Sequence, residues 1–227
     1  MKKLFLTAAV ALACSAAVSA HATDIGVSAD VGTTGAGLHF SVPLRPDLNV
    51  RFGVNTLSHS FSGSASNVNY DFDAKLQTFD ALLDWFPRAG SFRISGGLIY
   101  NGNHIDATAR PDASASYTFN GVTYTSSDIG SANGRIDFRK FAPYLGIGWG
   151  NAAAKNKGWG FTADLGLMFQ GSASVSFNAV CGPTADATPG GCAALQENVA
   201  AEQANLANKM DGYTVYPVAR LGVTYRF

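Results

Sequence analysis

From Tyr213 to the last residue, apolar side chains fall at every second position. Tyr213, Val215, Pro217, Ala219, Leu221, Val223, Tyr225 and Phe227 form one set. Thr214, Tyr216, Val218, Arg220, Gly222, Thr224 and Arg226 form the other. Successive side chains of a strand point to opposite faces, so this segment predicts a strand with one apolar and one mainly polar surface. Trp159 to Phe169 repeats the pattern, with Thr162, Asp164, Gly166 and Met168 on the second face. So do Ile25–Val31, Leu38–Val42, Val50–Val54 and Phe92–Tyr100.

Two further segments slip phase once. Phe72, Ala74 and Leu76 give way to Phe79, Ala81, Leu83 and Trp85, and Ile136 and Phe138 give way to Phe141, Pro143, Leu145, Ile147 and Trp149. One inserted residue in each, a β-bulge, is the expected cause. The count is eight strands. Short connections fall near Leu44–Asp47, Pro87–Gly90 and Ala152–Lys157, and longer ones at Ser62–Asn69, Asp106–Gly134 and Asn178–Gly212. Only the first hairpin, at Gly32–Gly35, is short on the long side. Alternating short turns and long loops predict an all-β fold, an eight-stranded antiparallel transmembrane barrel with its short turns periplasmic.

Tryptophan placement agrees. Trp85, Trp149 and Trp159 all adjoin short turns, where an indole at the bilayer interface keeps its ring apolar and its N–H wet. With Tyr225 and Phe227 they form the expected periplasmic girdle. Phe61, Tyr70, Tyr100 and Tyr213 are expected at the outer rim. A soluble barrel with its apolar face inward is the competing architecture. The polar faces hold many Gly, Ser, Thr and Asn but few Lys and no Glu, which suits an enclosed lumen better than a water-facing exterior.

Composition narrows the field further. Only 14% of the 227 residues are charged, with 16 basic against 16 acidic side chains and 25 glycines. That balance gives no reason to expect nucleic acid. Lys2 and Lys3, the apolar run Leu4–Val18 and the Ala20-His21-Ala22 site read as a signal peptide over residues 1–22, leaving 23–227 as the barrel and the bacterial outer membrane as its destination. Cys14 leaves with the leader, so Cys181 and Cys192 remain as one pair around Gly182-Pro183 and Pro189-Gly190-Gly191. A local disulfide is expected. His39, His59 and His104 are scattered away from that pair, so no metal and no other cofactor is expected.

The long loops carry structure of their own. Tyr117–Tyr124 reads as a hairpin on Asn120-Gly121. Ala193–Met210 has helical composition, with Leu195, Val199, Leu206 and Met210 in a stripe that Gln203 interrupts. Packing on neighbouring loops is favoured for this helix over a lid or an interfacial role. Loop charge is acidic: Asp106, Asp112 and Asp128 face Arg110, while Asp186, Glu197, Glu202 and Asp211 face Lys209.

The inward set supplies the candidate site. Asp30, His39, Arg51, Asp80, Asp84, Arg93, Asp164, Arg220 and Arg226 are expected to line the lumen, with Asp24 at its start. Asp71, Asp73, Lys75, Asn101, Asn103, Arg135, Asp137 and Arg139 are expected farther out. Charges in so narrow a barrel must be paired or hydrated. Two functions follow: a narrow channel for small cationic solutes, with Asp30, Asp80, Asp84 and Asp164 giving cation affinity, or a closed barrel whose loops bind a partner. A remote third is a lipid A-modifying enzyme built on His39 and Ser41; its acidic orienter would have to be an aspartate, and the pair points with the lumenal set and not towards lipid, so no enzyme is expected.

Several stretches carry a resemblance. Val31-Gly32-Thr33-Thr34-Gly35, Ala142–Gly148, Trp159-Gly160-Phe161 with Asp164-Leu165-Gly166, and Tyr216-Pro217-Val218 with Leu221-Gly222-Val223 resemble the carbapenem-associated, CarO-type outer-membrane family, a relative of the small OmpA/OmpW-like barrels. The helical loop before the last strand is similar too. The resemblance implies an eight-stranded barrel passing small solutes, including basic amino acids such as ornithine. Its surroundings would be outer-membrane lipid and lipopolysaccharide. The terminal Phe227 looks like the signal read by the barrel-assembly machinery. The Cys181/Cys192 pair departs from the family pattern.

Overall fold

A computed structural model describes residues 25–65, 68–110, 116–153 and 156–227. The expected leader, Asp24 and Asp112 lie outside the described residues, as do the side chains of Tyr70 and Arg110. Eight strands close the barrel: β1 (Gly26–Gly32), β2 (Gly35–Arg45), β3 (Leu48–Ala65), β4 (Val68–Trp85), β5 (Phe92–Asn101), β10 (Phe141–Trp149), β11 (Gly158–Phe169) and β13 (Val215–Arg226). Each pairs antiparallel with the next in that order, and β13 returns to β1 through Gly26↔Arg226 to Gly32↔Arg220. Closure leaves no sheet edge inside the bilayer, where an unpaired main-chain group has no water to bond.

Above the barrel a second sheet rises. β6 (His104–Arg110), β9 (Ile129–Asp137) and β12 (Ser174–Cys181) continue β5, β10 and β11 after short breaks and stand beside the upper halves of β3 and β4. The order is β3-β4-β6-β9-β12. The breaks share one level and are stitched together: Gly102 N–H donates to Gln77 O, Asn101 N–H to Lys140 O, Arg139 N–H to Gln170 O and Gly171 N–H to Thr214 O. The hairpin β7 (Ser116–Phe119) and β8 (Val122–Thr125) turns on Asn120 (φ 51°) and Gly121 (φ 78°), the left-handed pair an Asn-Gly turn supplies. Helices α1 (Pro183–Ala187) and α2 (Gly191–Met210) complete the loops.

The lipid-facing band is explicit. Phe40, Phe52, Leu83, Leu98, Leu145, Phe161, Leu165 and Leu221 are all exposed large apolar side chains pointing outward. Trp85, Trp149 and Trp159 ring the end with the short turns, and Trp159 meets Tyr225 edge to face at 5.2 Å, with Phe227 beyond it. Tyr100 and Phe141, 5.5 Å apart, mark the outer rim with exposed Tyr213. The nine residues of β10 between the rims match the roughly 9–11 that a tilted strand needs to cross.

The two expected bulges are absent. The β3–β4 ladder runs from Leu48↔Trp85 to Ala65↔Val68 without a register shift. The apolar set changes face because the surroundings change, lipid outside the barrel below and water outside the sheet above. The second slip is a break, with residues 138–140 leaving the strand altogether. Uninterrupted alternation therefore turns Asp71, Asp73 and Lys75 outward on β4, and Arg135 and Asp137, flanking the inward Ile136, also lie outward on β9; the expected inward placement of all five is corrected. Phe61 moves the other way, onto the inner face, where it stacks on Phe72 at 5.1 Å.

Candidate functional site

The lumen is filled from bottom to top. Arg226 sits half-buried at the periplasmic end, donating to Trp159 O. Above it, two guanidiniums and two carboxylates form a ring. Arg51 meets Asp164 at 2.8 Å and Asp84 at 3.0 Å, and Arg93 meets Asp164 at 2.8 Å and Asp84 at 3.8 Å. Arg93 also donates to Thr162 Oγ1 and Gly150 O. Four fully desolvated charges are costly singly, and mutual pairing offsets that cost.

The next storey centres on His39. Its Nδ1 lies 2.7 Å from Asp30 and its Nε2 3.2 Å from Asp80. Arg220 reaches Asp80 at 3.2 Å and donates to Thr34 Oγ1, while Asn55 donates to Asp80. Glycine makes the room: a Cβ on Gly53 would stand 1.9 Å from the His39 ring. This explains the glycine-rich inward face, since large side chains from one strand fill the space their neighbours vacate.

Towards the outer end the filling turns apolar. Leu82, Ile99, Ala142, Tyr144, Met168 and Val218 are at most 3% exposed and pack together, with Tyr216 against them. The Tyr144 ring lies over Gly146 and Gly166, where a Cβ would come within 2.4 Å of its hydroxyl. Sequence reasoning missed this plug, although Met168 and Val218 stood openly among the polar set. Buried Asn101 and Asn103 lie above it at the strand breaks.

The upper sheet carries its own small core. Ala109, Tyr117, Phe119, Ile129, Ala132, Ala179, Leu195 and Val199 cluster, with Tyr124 and Phe177 packed on them. Burial pushes the Tyr117 phenol up from its ordinary pKa. The helix therefore packs on β12 and the hairpin. Gln196 donates to Ala179 O at 2.7 Å and Gln203 accepts from Phe177 N–H at 3.0 Å, closing the outer edge of β12. The Cys181–Cys192 disulfide joins the end of β12 to the first turn of α2, with Cα atoms 5.7 Å apart. Asn120 N–H donates to Glu202, and Asn198 donates to Tyr124 Oη, which docks the hairpin on the helix.

The outward charges of β9 pair across the sheet and with the break below it. Arg135 meets Asp137 at 2.7 Å and Asp106 at 3.1 Å, and Lys140 meets Asp137 at 3.4 Å. Arg135 and Lys140 hold the Asp137 carboxyl below its ordinary range. Arg139 lies exposed in the break itself.

No family model and no curated protein sequence matches this chain. Two solved structures are similar over almost its full length. The crystal structure of Acinetobacter baumannii CarO2 matches with a TM-score of 0.55 and 24% identity, covering 90% of this chain and 99% of that one. That of Acinetobacter baumannii CarO matches with a TM-score of 0.54 and 27% identity, covering 89% and 97%. With its lipid-facing band and closed strand order, the chain is an eight-stranded bacterial outer-membrane β-barrel with the fold of these CarO proteins.

Proposed function

We propose that this barrel is sealed along its lumen and works through the sheet, hairpin and helix it raises above the membrane. One observation carries the reading: a neutral ring of buried ion pairs is followed by an apolar plug whose members are almost wholly inaccessible. Among the described residues, the four lumenal carboxylates expected to attract a cation are already engaged, Asp164 and Asp84 by Arg51 and Arg93, Asp80 by Arg220 and Asp30 by His39. A passing cation would have to displace a bidentate guanidinium in a desolvated site. In the same reading the chain is not an enzyme. Both ring nitrogens of His39 face carboxylates, which leaves none to activate Ser41. Its surroundings are lipid and lipopolysaccharide, and Phe227 is its assembly signal.

Liposome swelling tests the sealed lumen. Proteoliposomes should swell in ornithine no faster than in a neutral sugar, and neither faster than protein-free vesicles. Faster swelling in ornithine alone favours the second reading, a narrow channel for small cationic solutes. The opposed carboxylates and guanidiniums on two successive storeys support that second reading, provided the plug can move.

A further inference from the structure

The two edges of the upper sheet are finished differently. The β12 edge is covered by α2, with Gln196 and Gln203 satisfying its main chain. The β3 edge is bare of any described strand. Its partner on that side, β2, pairs only as far as Ala36↔Thr56. Beyond that point no strand among the described residues pairs with it. Every residue from Thr56 to Ser62 is exposed.

Ladder geometry identifies the open groups. In an antiparallel strand one residue turns both its N–H and its C=O to the same neighbour, and the next residue turns to the other side. Gln77 O accepts from Gly102 and Gln77 N–H donates to Asn103, so odd residues of β4 face β5 and β6. Even residues of β4 face β3, opposite Leu57, His59 and Phe61. Ser58, Ser60 and Ser62 therefore turn their main-chain donors and acceptors to the open side.

Proteins usually blunt such an edge with lysine, proline or a covering element. This one has no lysine or proline between Leu57 and Ser62, and no strand among the described residues covers it there. Its inner face offers Leu57 and the stacked rings of His59, Phe61 and Phe72. Its outer face offers serines bonded to acids, Ser60 to Asp73 and Ser62 to Asp71. We propose that the Ser58–Ser62 edge of β3 is a docking strand for an extended polypeptide of a partner, apolar at alternate positions and basic between them. The peptide would add a sixth strand to the sheet, lay its apolar side chains beside Leu57 and Phe61, and bring its cations towards Asp71 and Asp73. A second copy of this chain does not fit. Two barrels inserted the same way up share an axis along the membrane normal, and edges tilted by roughly 35–45° then cross instead of aligning.

The proposal rests on the upper sheet being the working surface, and its test is independent of the lumen. Fluorescence anisotropy of a short labelled peptide alternating lysine and valine is measured against the full chain in detergent, with heat-modifiable gel mobility as the check on folding. Saturable binding is expected, weakened about tenfold or more by N-methylation of the peptide's alternate amides and likewise by Ser60→Pro. Proline on an exposed edge removes only the outward N–H, so the barrel should still form. The methylated peptide keeps the test decisive even if that variant misfolds. No binding, or binding indifferent to both changes, overturns the docking strand. The sealed lumen is judged separately, by the swelling assay.

Discussion

Gln203 accepts a hydrogen bond from the main-chain N–H of Phe177 at 3.0 Å, so a residue that breaks the helix's apolar stripe is what fastens the helix to the sheet. The contact sits on the edge of β12, seven residues along α2 from the matching Gln196 bond to Ala179. Replacing Gln203 by leucine keeps the side chain's bulk and leaves the Phe177 N–H without its acceptor. An orphaned main-chain donor costs about 1–3 kcal/mol. The loss should fall on the upper sheet alone. Amide exchange at Phe177 and along α2 should quicken, while the lipid-embedded strands stay protected. Unchanged exchange at Phe177 would show that the bond contributes nothing.

The ring of Arg51, Asp84, Arg93 and Asp164 should behave as one unit. Arg51→Met removes a cation that bonds both carboxylates and leaves two anions sharing Arg93. Breaking a buried pair in this way costs about 3–5 kcal/mol. Adding Asp164→Asn restores neutrality and should recover part of that loss. Urea unfolding in lipid vesicles of both single variants and the double variant gives the coupling. Simply additive changes would mean that the four groups act separately.

Tyr144 is the plug's largest ring, seated where Gly146 and Gly166 make space. Tyr144→Ala together with Met168→Ala should open a passage past the apolar storey. If the plug is what seals the lumen, this pair should raise single-channel conductance over the parent. The ion ring below would still hold the conductance small. A parent that already conducts as well as the double variant would place the restriction elsewhere.

Period-two alternation made the eight-stranded barrel, its tryptophan rim and the Asn-Gly hairpin legible from residue parity and turn chemistry, whereas the outer charges Asp71, Asp73, Lys75, Arg135 and Asp137 were assigned to the wrong face. The upper sheet was harder because a phase slip has two physical causes. An inserted residue flips the strand, whereas leaving the bilayer flips its surroundings, and both put Leu76 and Phe79 three apart. The unbroken ladder of β3 and β4 decides for the second. The partners of the lumenal charges were also beyond parity. Asp164 is 113 residues from Arg51, and only the closed strand order brings them together. Gln203 looked like a defect because its value depends on an edge strand that helical periodicity does not contain.

Acid should loosen the upper sheet before the barrel. Asp137 is held below its ordinary range first by its hydrogen bond from Arg135 and then by Lys140. Asp128 is lowered by the Thr125 hydroxyl and main-chain N–H that donate to it. A carboxyl with a depressed folded pKa adds stability that is fully present above its unfolded value, about 3.9, and is lost as pH falls through the folded value. Both groups are accessible to solvent, so each contribution is small and salt weakens it further. Limited proteolysis at falling pH should therefore nick the β9 region below about pH 4 while the lipid-embedded strands resist. Asp137→Asn should nick more readily at neutral pH and change less on acidification. If acid sensitivity is the same in parent and variant, the Arg135–Asp137 pair does not set it.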